Sequence, residues 1–153
     1  MTCIPSIYAA AMCVGLTAPY MYPHIEQPTV REIIVKAAQF HSIPESLALA
    51  IAETESNFNC DAIGKAGEIG LFQLKPTTAF YLGHSGNTEE LKDCIINAFY
   101  GVKHLRKGYE ICGKDIPCTI TKHNAGLRAK PKPLSAYNAK VKKKMVKAEA
   151  WVR

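Results

Sequence analysis

Apolar residues recur at helical spacing along most of the chain and predict α-helices. The clearest pattern begins at Ser42-Ile43-Pro44-Glu45, where a Ser N-cap, a Pro in the first turn and a Glu three residues later predict a capping box. We expect a helix from about Pro44 to Asn57. Glu55 falls near the centre of its apolar stripe and Glu53 on nearly the opposite side; the stripe comprises Leu47, Ala48, Ile51 and Ala52.

The remaining sequence is also helical in pattern. Thr29 and Glu32 form a second capping box ahead of an apolar-periodic segment. Further helices are predicted from Asn87 or Thr88 towards Tyr109, from Thr119 to about Gly126, and from Ser135 onwards. No convincing alternation of apolar and polar residues predicts a strand. The sequence therefore predicts an all-α fold, and its 153 residues are enough for one domain with a real core.

Glu55 is the candidate catalytic residue. An acid that continues an apolar stripe either makes a specific hydrogen bond or has a chemical task. Burial disfavours the ionised form, so we expect a raised pKa, and a carboxyl that keeps its proton near neutral pH can protonate a leaving oxygen. The alternative is that Glu55 caps a neighbouring loop or forms a salt bridge with a Lys.

A glycine-rich loop follows this helix. Gly64, Gly67 and Gly70 permit close approach to the backbone, and Gln73 supplies a hydrogen-bond donor and an acceptor. A loop of this kind suits a polar, hydroxyl-rich ligand.

Four motifs occur in order between about Ile43 and Val141. They are Glu55-Ser56, then Gly70-Leu71-Phe72-Gln73 with Pro76, then Leu91 to Asn97 with Gly101 and Leu105, and finally Asn124-Ala125-Gly126 followed by Tyr137 to Val141. Each is weak alone, but together they resemble the lysozyme-like soluble lytic transglycosylase (SLT) family.

This resemblance implies a single compact helical domain with a lysozyme-like fold and a substrate cleft. It implies that Glu55 protonates the oxygen between N-acetylmuramic acid and N-acetylglucosamine, then deprotonates the muramic C6 hydroxyl, which leaves a 1,6-anhydro sugar. The residues expected to bind the sugar or position the acid are Ser56, Gly70, Gln73, Asn124 and Tyr137.

Three positions depart from the family pattern. Phe72 replaces the usual Met, Cys94 stands where Pro is common, and His123 occupies the place normally held by Tyr. His123 puts in doubt the contact made by that Tyr, and it would instead add a titrating donor to the cleft. The five histidines are scattered, and we otherwise interpret them as surface or locally hydrogen-bonding residues.

Glu68 separates two chemistries. A hydrolase that retains configuration needs a second carboxylate as nucleophile, about 5 Å from the acid, and lysozyme is the type case of such a pair. A transglycosylase needs only one. Glu68 therefore either makes the chain a muramidase, or stabilises a cationic transition state, or is a solvated loop residue. A glycan-binding module without activity is a third candidate function.

The first 23 residues contain no charged side chain and many apolar ones. They resemble a secretory signal with cleavage after Ala18, although no Lys or Arg precedes the apolar run. A membrane anchor competes with this interpretation, but a span needs about 20 apolar residues, and Pro5 and Pro19 interrupt this one. We expect residues 1–23 to be a signal peptide, residues 24–153 to be the catalytic domain, and the protein to be periplasmic or secreted.

Cleavage would leave four of the six cysteines, which permit three pairings. We favour Cys60 with Cys94 and Cys112 with Cys118. No paired spacing of Cys or His indicates zinc, so we expect neither a metal nor another cofactor.

The net charge of +6 is concentrated near the C-terminus, in Lys140, Lys142, Lys143, Lys144, Lys147 and Arg153. These residues either form an ordinary solvated helix face or favour acidic partners, among which the carboxylates of peptidoglycan stem peptides suit an exported protein. Aromatic residues are too sparse there for nucleic-acid stacking. We expect a monomer that binds peptidoglycan glycan strands, with components of a secretion, conjugation or pilus apparatus as further partners by family analogy.

Overall fold

The structure is a computed structural model that describes residues 27–133 and 135–152. These residues form six α-helices and one 3-10 helix, which confirms the predicted all-α class. The helices are α1 (Val30–Phe40), α2 (Glu45–Glu55), α3 (Pro76–Tyr81), the 3-10 helix (Thr88–Lys92), α4 (Cys94–Ile111), α5 (Ile116–Ala125) and α6 (Ala136–Glu149). The predicted signal segment, with its Ala18 cleavage site, lies outside the described residues.

Helix α2 runs through the middle of the core. It packs against α1 and α6, and its residues 46–52 are all buried. The predicted apolar stripe is buried, but so are the residues around it, because this helix is covered on every side. Glu53, on the side away from the stripe, is only 12% exposed and lies 3.5 Å from Lys144 Nζ and 3.7 Å from Lys147 Nζ.

The predicted capping box at Ser42 is also wrong. Ser42 has a positive φ of 53°, and α2 begins at Glu45 without a side-chain cap. Ser42 belongs to the end of α1, since its N–H donates to Gln39 O and the Ile43 N–H donates to Ala38 O. These two bonds form a Schellman motif, so the preceding helix determines the conformation of Ser42.

Helix α2 ends at Glu55, two residues earlier than predicted. Ser56 is the C-cap, and Asn57 and Phe58 both have positive φ, of 55° and 65°. This left-handed pair turns the chain sharply out of the helix. Glu55 is consequently the last helical residue, at the point where the chain enters the glycine-rich loop.

The other predicted helix starts are confirmed in part. The capping box at Thr29 and the cap expected at Ser135 are both present. Asn87 caps only the short 3-10 helix, because Asp93 accepts from the N–H groups of Ile95 and Ile96 and starts α4 separately.

Two elements differ from the sequence prediction. Helix α5 begins at Ile116 and not at Thr119, since Asp115 provides the cap by accepting from Cys118 N. The short helix α3 was not predicted, and it starts at Pro76, directly after the glycine-rich loop.

Two disulfides fasten α4 at both ends, in the favoured pairing. Cys60 and Cys94, with Cα atoms 5.2 Å apart, connect the loop after Glu55 to the start of α4. Cys112 and Cys118, 5.8 Å apart, connect the end of α4 to α5. Within the described ranges, no helix combines the length and apolar character that crossing a membrane would need.

Candidate active site

A cleft of about 490 Å³ opens between the glycine-rich loop and the ends of the helices. We call its two sides the loop wall, residues 64–75, and the helix wall, formed by Glu55, His104, His123 and Tyr137. Its lining residues include four of the predicted site residues, Glu55, Glu68, Gln73 and Asn124, together with Lys75, Thr78, His104 and His123.

Glu55 is held by two donors on one oxygen. The Tyr137 hydroxyl donates to Oε1, and His123 Nε2 lies 3.4 Å from the same atom. Among the described residues, none donates to Oε2, and the side chain keeps 18% exposure in the cleft. The carboxyl is thus fixed through Oε1 and presents Oε2 to a ligand.

The pKa of Glu55 lies below its usual value, contrary to the sequence expectation. Burial is the largest influence and raises the pKa, but the hydrogen bond and charge of His123, the Tyr137 hydroxyl and the charge of Lys140 together outweigh it. Burial alone was predictable from the helix pattern, whereas these donors come from α5 and α6. Glu55 is therefore ionised at neutral pH in the free protein.

His104 extends the helix wall behind His123. Its ring is 8% exposed, and its Nδ1 lies 3.4 Å from His123 Nδ1. Burial, then the charges of His123 and Lys107, lower the pKa of His104 to about 3. The interpretation of the histidines as surface or local residues is wrong here, since these two are 19 positions apart and interact inside the cleft.

The loop wall is anchored by one buried amide. Asn97, on α4, is fully buried and accepts from Phe72 N at 2.9 Å while donating to Ile69 O and Leu91 O at 2.9 and 2.8 Å. Gly70, with a φ of 74°, packs directly on it, and a Cβ there would overlap the Asn97 side-chain amide. Gly70, predicted to bind the sugar, is instead buried at the base of the loop and is not among the residues that line the cleft.

Gln73 and Ser56 also hold the loop. Gln73 Nε2 donates to the carbonyls of Ala62 and Gly70, at 3.2 and 3.0 Å, which leaves its side-chain oxygen for the cleft. The Ser56 hydroxyl lies 3.2 Å from Ala52 O and 3.0 Å from Leu71 O, so it joins the end of α2 to the loop.

Glu68 lies in the same cleft with both oxygens engaged by the loop. Ala66 N donates to Oε2 at 3.0 Å, and Lys75 Nζ lies 3.8 Å from Oε1. Asn124 occupies the opposite rim, exposed at the end of α5. No group of three or more His, Cys, Asp or Glu side chains within residues 27–133 and 135–152 is placed to hold a metal ion.

The same positions fall inside a recognised sequence family. The family model described as the transglycosylase SLT domain matches residues 32–146. The chain belongs to the SLT family. This span contains every residue of the helix wall and the loop wall.

The SLT chain is similar to longer proteins. It is 44% identical over 99 residues to membrane-bound lytic murein transglycosylase C of Haemophilus influenzae, an overlap of 59% of this chain and 28% of that protein. It is 53% identical over 47 residues to the protein of the same name from Histophilus somni, covering 31% and 13%. The matched region is thus about a quarter of the first relative's length.

Two solved structures share the SLT fold. An inactive mutant of lytic transglycosylase Slt from Pseudomonas aeruginosa superimposes with a TM-score of 0.71 at 20% identity, over 80% of this chain and 24% of that one. The 70 kDa soluble lytic transglycosylase from Escherichia coli gives 0.59 at 23% identity, over 76% and 18%. The lysozyme-like all-α fold expected from the motifs is confirmed.

Three residues of this SLT site were missed by sequence reasoning. Asn97 lies in a motif that gives it no role, Lys75 belongs to no predicted site, and His104 was predicted only as a surface or locally hydrogen-bonding residue. His104 had a usable signal, because it lies on the buried face of α4 with Gly101, Leu105 and Gly108. A histidine on such a face needs a partner, and its partner is His123.

Proposed function

We propose that this protein is a peptidoglycan lytic transglycosylase. It cleaves the β-1,4 bond between N-acetylmuramic acid and N-acetylglucosamine and leaves 1,6-anhydromuramic ends. The observation that supports this most directly is Glu55, whose Oε1 is held by Tyr137 and His123 while Oε2 is left for a ligand in the cleft. Membership of the SLT family and the names of the relatives agree with it.

The reaction needs a single carboxyl in two successive roles. Glu55 first donates a proton to the bridging oxygen as the C1–O4 bond breaks, then takes a proton from the C6 hydroxyl as O6 bonds to C1. Water is not consumed, and the proton that Glu55 gave is recovered. Gln73 and Asn124, which line the cleft, would hold the sugar, while Gly70 and Ser56 would support the loop and Tyr137 the acid.

The alternative is a muramidase that uses Glu68 as the second carboxylate. Glu68 does lie in the cleft with Glu55, but Ala66 N and Lys75 already engage its two oxygens. A carboxylate oxygen that accepts one hydrogen bond keeps a lone pair, so the ends of the products, and not these contacts, separate the two reactions.

The proposal places the protein in the bacterial envelope, periplasmic or secreted. Its partner there would be the glycan strands of peptidoglycan, which it would open locally, as a monomer, for assembly of a secretion, conjugation or pilus apparatus. Two disulfides support an oxidising compartment.

The test is mass spectrometry of the soluble products released from purified peptidoglycan. We expect anhydro-ended muropeptides from the unaltered protein and a rate lower by about 10²- to 10⁴-fold for Glu55→Gln. Glu45→Gln is a matched control, since Glu45 lies on the same helix and contacts Gln39 at its other end.

Two results would contradict the proposal. Products with reducing ends, lost equally in Glu55→Gln and Glu68→Ala, would establish a muramidase. No products from the unaltered protein, together with retained binding to peptidoglycan, would establish a glycan-binding module.

A further inference from the structure

Four helices contribute side chains to one continuous hydrogen-bonded series. Tyr137 on α6 donates to Glu55 on α2, Glu55 Oε1 lies 3.4 Å from His123 Nε2 on α5, and His123 Nδ1 lies 3.4 Å from His104 Nδ1 on α4. The His123 side chain is only 5% exposed. Both of its ring nitrogens therefore have a protein partner.

Only one of the two facing nitrogens, His104 Nδ1 and His123 Nδ1, can carry a proton in their hydrogen bond. His104 stays neutral, with a pKa of about 3, chiefly because it is buried. A neutral imidazole has one N–H and one acceptor nitrogen, so His104 Nδ1 can accept from His123 Nδ1–H both while His123 also carries a proton on Nε2 and after that proton has passed to Glu55. His123 can thus gain or lose a proton without leaving either neighbour unpaired.

Tyr137, the second donor to Glu55, does not store a proton for it. Burial and the charge of Glu55 raise the pKa of Tyr137 above its usual range, so its hydroxyl remains a donor that keeps its proton. Ionisable groups face the Glu55–His123 pair from every neighbouring element: His104 and Lys107 on α4, Tyr137 and Lys140 on α6, and Lys65, Glu68 and Lys75 across the cleft.

We propose that His123, held in place by His104, is a positioning residue that stores the proton which Glu55 delivers during the reaction. The inference rests on the proposed lyase function, because a proton store has a use only if Glu55 donates a proton. It also explains how a carboxyl that is ionised in the free protein can act as an acid.

The protons balance through the cycle. His123 passes its Nε2 proton to Glu55 Oε1, the oxygen that it contacts, and a half-turn of the carboxyl brings that proton to the cleft, where it passes to the bridging oxygen as the glycosidic bond breaks. The carboxylate then takes the proton of the C6 hydroxyl as O6 bonds to C1, and the reverse half-turn returns this proton to His123. His123 therefore carries the same number of protons at the start and at the end of the cycle.

The first test compares pH–rate profiles for release of anhydro products. In His123→Gln, Glu55 must be protonated directly from solvent, which is easier at low pH. We therefore expect this variant to lose about tenfold or more in kcat near pH 7 and much less near pH 5. His84→Gln serves as the control, since His84 contacts Asn87 O and the Tyr100 ring and lies outside the cleft. A loss of the same size at every pH would mean that His123 has only a structural role and would overturn the inference.

A second test needs neither activity nor a folded His123 variant. Nitrogen-15 NMR of histidine-labelled protein follows the protonation of His123 directly, and we expect Glu55→Gln to shift its titration while leaving that of His84 unchanged. An unchanged His123 titration would overturn the shared proton even if anhydro products form. A shifted titration with no anhydro products would support the shared proton and count against the lyase function instead.

Discussion

The two walls of the cleft are built on different physical principles. The loop wall is held by neutral hydrogen bonds to backbone groups, through Asn97, Gln73 and Ser56. The helix wall is held by ionisable side chains, in which Glu55 contacts Tyr137 and His123. The anchoring of the first wall should therefore be insensitive to pH, whereas the second should change with the protonation of its members.

The two walls also differ in whether they determine the pKa of Glu55. The hydrogen bonds and charges that lower the pKa of Glu55 come from His123, Tyr137 and Lys140, none of which belongs to the loop wall. The helix wall determines that pKa through donors from α5 and α6. Variants of the two walls should accordingly differ in how their effects depend on pH.

The largest expected effect comes from Asn97→Ala in the loop wall. It removes three buried hydrogen bonds and leaves Phe72 N–H and Leu91 C=O unpaired, while Ile69 C=O keeps its bond from Leu74 N–H, so we expect the free energy of unfolding to fall by about 3–4 kcal/mol. Urea denaturation measures this, and the loss should be the same at pH 5 and pH 7. Asn124→Ala, at an exposed amide, should change stability by less than about 0.5 kcal/mol. A pH-dependent loss for Asn97→Ala would break the comparison between the walls.

An intermediate effect is expected from acidification of the helix wall. The folded pKa of His104, about 3, is below its ordinary value of 6.5, so its contribution to stability is complete above about pH 6.5 and is lost as the pH falls towards 3. We expect the free energy of unfolding to drop by about 2 kcal/mol between pH 6.5 and 4.5 from this group. His104→Gln should lose that part of the slope, as measured by urea denaturation across the range. An equal slope in both proteins would show that His104 is not buried as a neutral group.

The smallest effect is expected from Tyr137→Phe. It removes one donor to the Glu55 carboxylate, which should cost about 1.5 kcal/mol at neutral pH. Thermal unfolding measures this, with Tyr81→Phe as a control because Tyr81 is 69% exposed. The pKa of Tyr137 is raised, so the hydroxyl contributes to stability below about pH 10 and this contribution is lost at higher pH. The stabilities of Tyr137→Phe and the unaltered protein should therefore converge above that pH. Identical stabilities at neutral pH would mean that the hydroxyl contributes nothing to the helix wall.

Short-range sequence patterns predicted the helices well where neighbouring residues alone determine how a helix starts. The Thr29 and Ser135 caps and the all-α class followed from short-range patterns, and the pairing of Cys60 with Cys94 was among three open choices. The Ser42 cap failed because α1 determines its conformation through the Schellman bonds, a contact that periodicity in α2 does not contain.

The candidate site divides in the same way. Glu55, Glu68, Gln73 and Asn124 could be named from motifs and do line one cleft. The direction of the Glu55 pKa could not be obtained from sequence, because it depends on His123 and Tyr137, and Tyr137 is 82 positions away along the chain.

The sequence by itself determined the helical class, the order of the motifs, the acid at the end of α2 and the membership of the SLT family. These depend on residue types and spacings, which the chain carries locally. Only the tertiary structure decided which donors meet Glu55, that Asn97 anchors the loop, and that two histidines from α4 and α5 share a contact. Such contacts depend on distances between separate helices, and the packing of the core around α2 sets those distances.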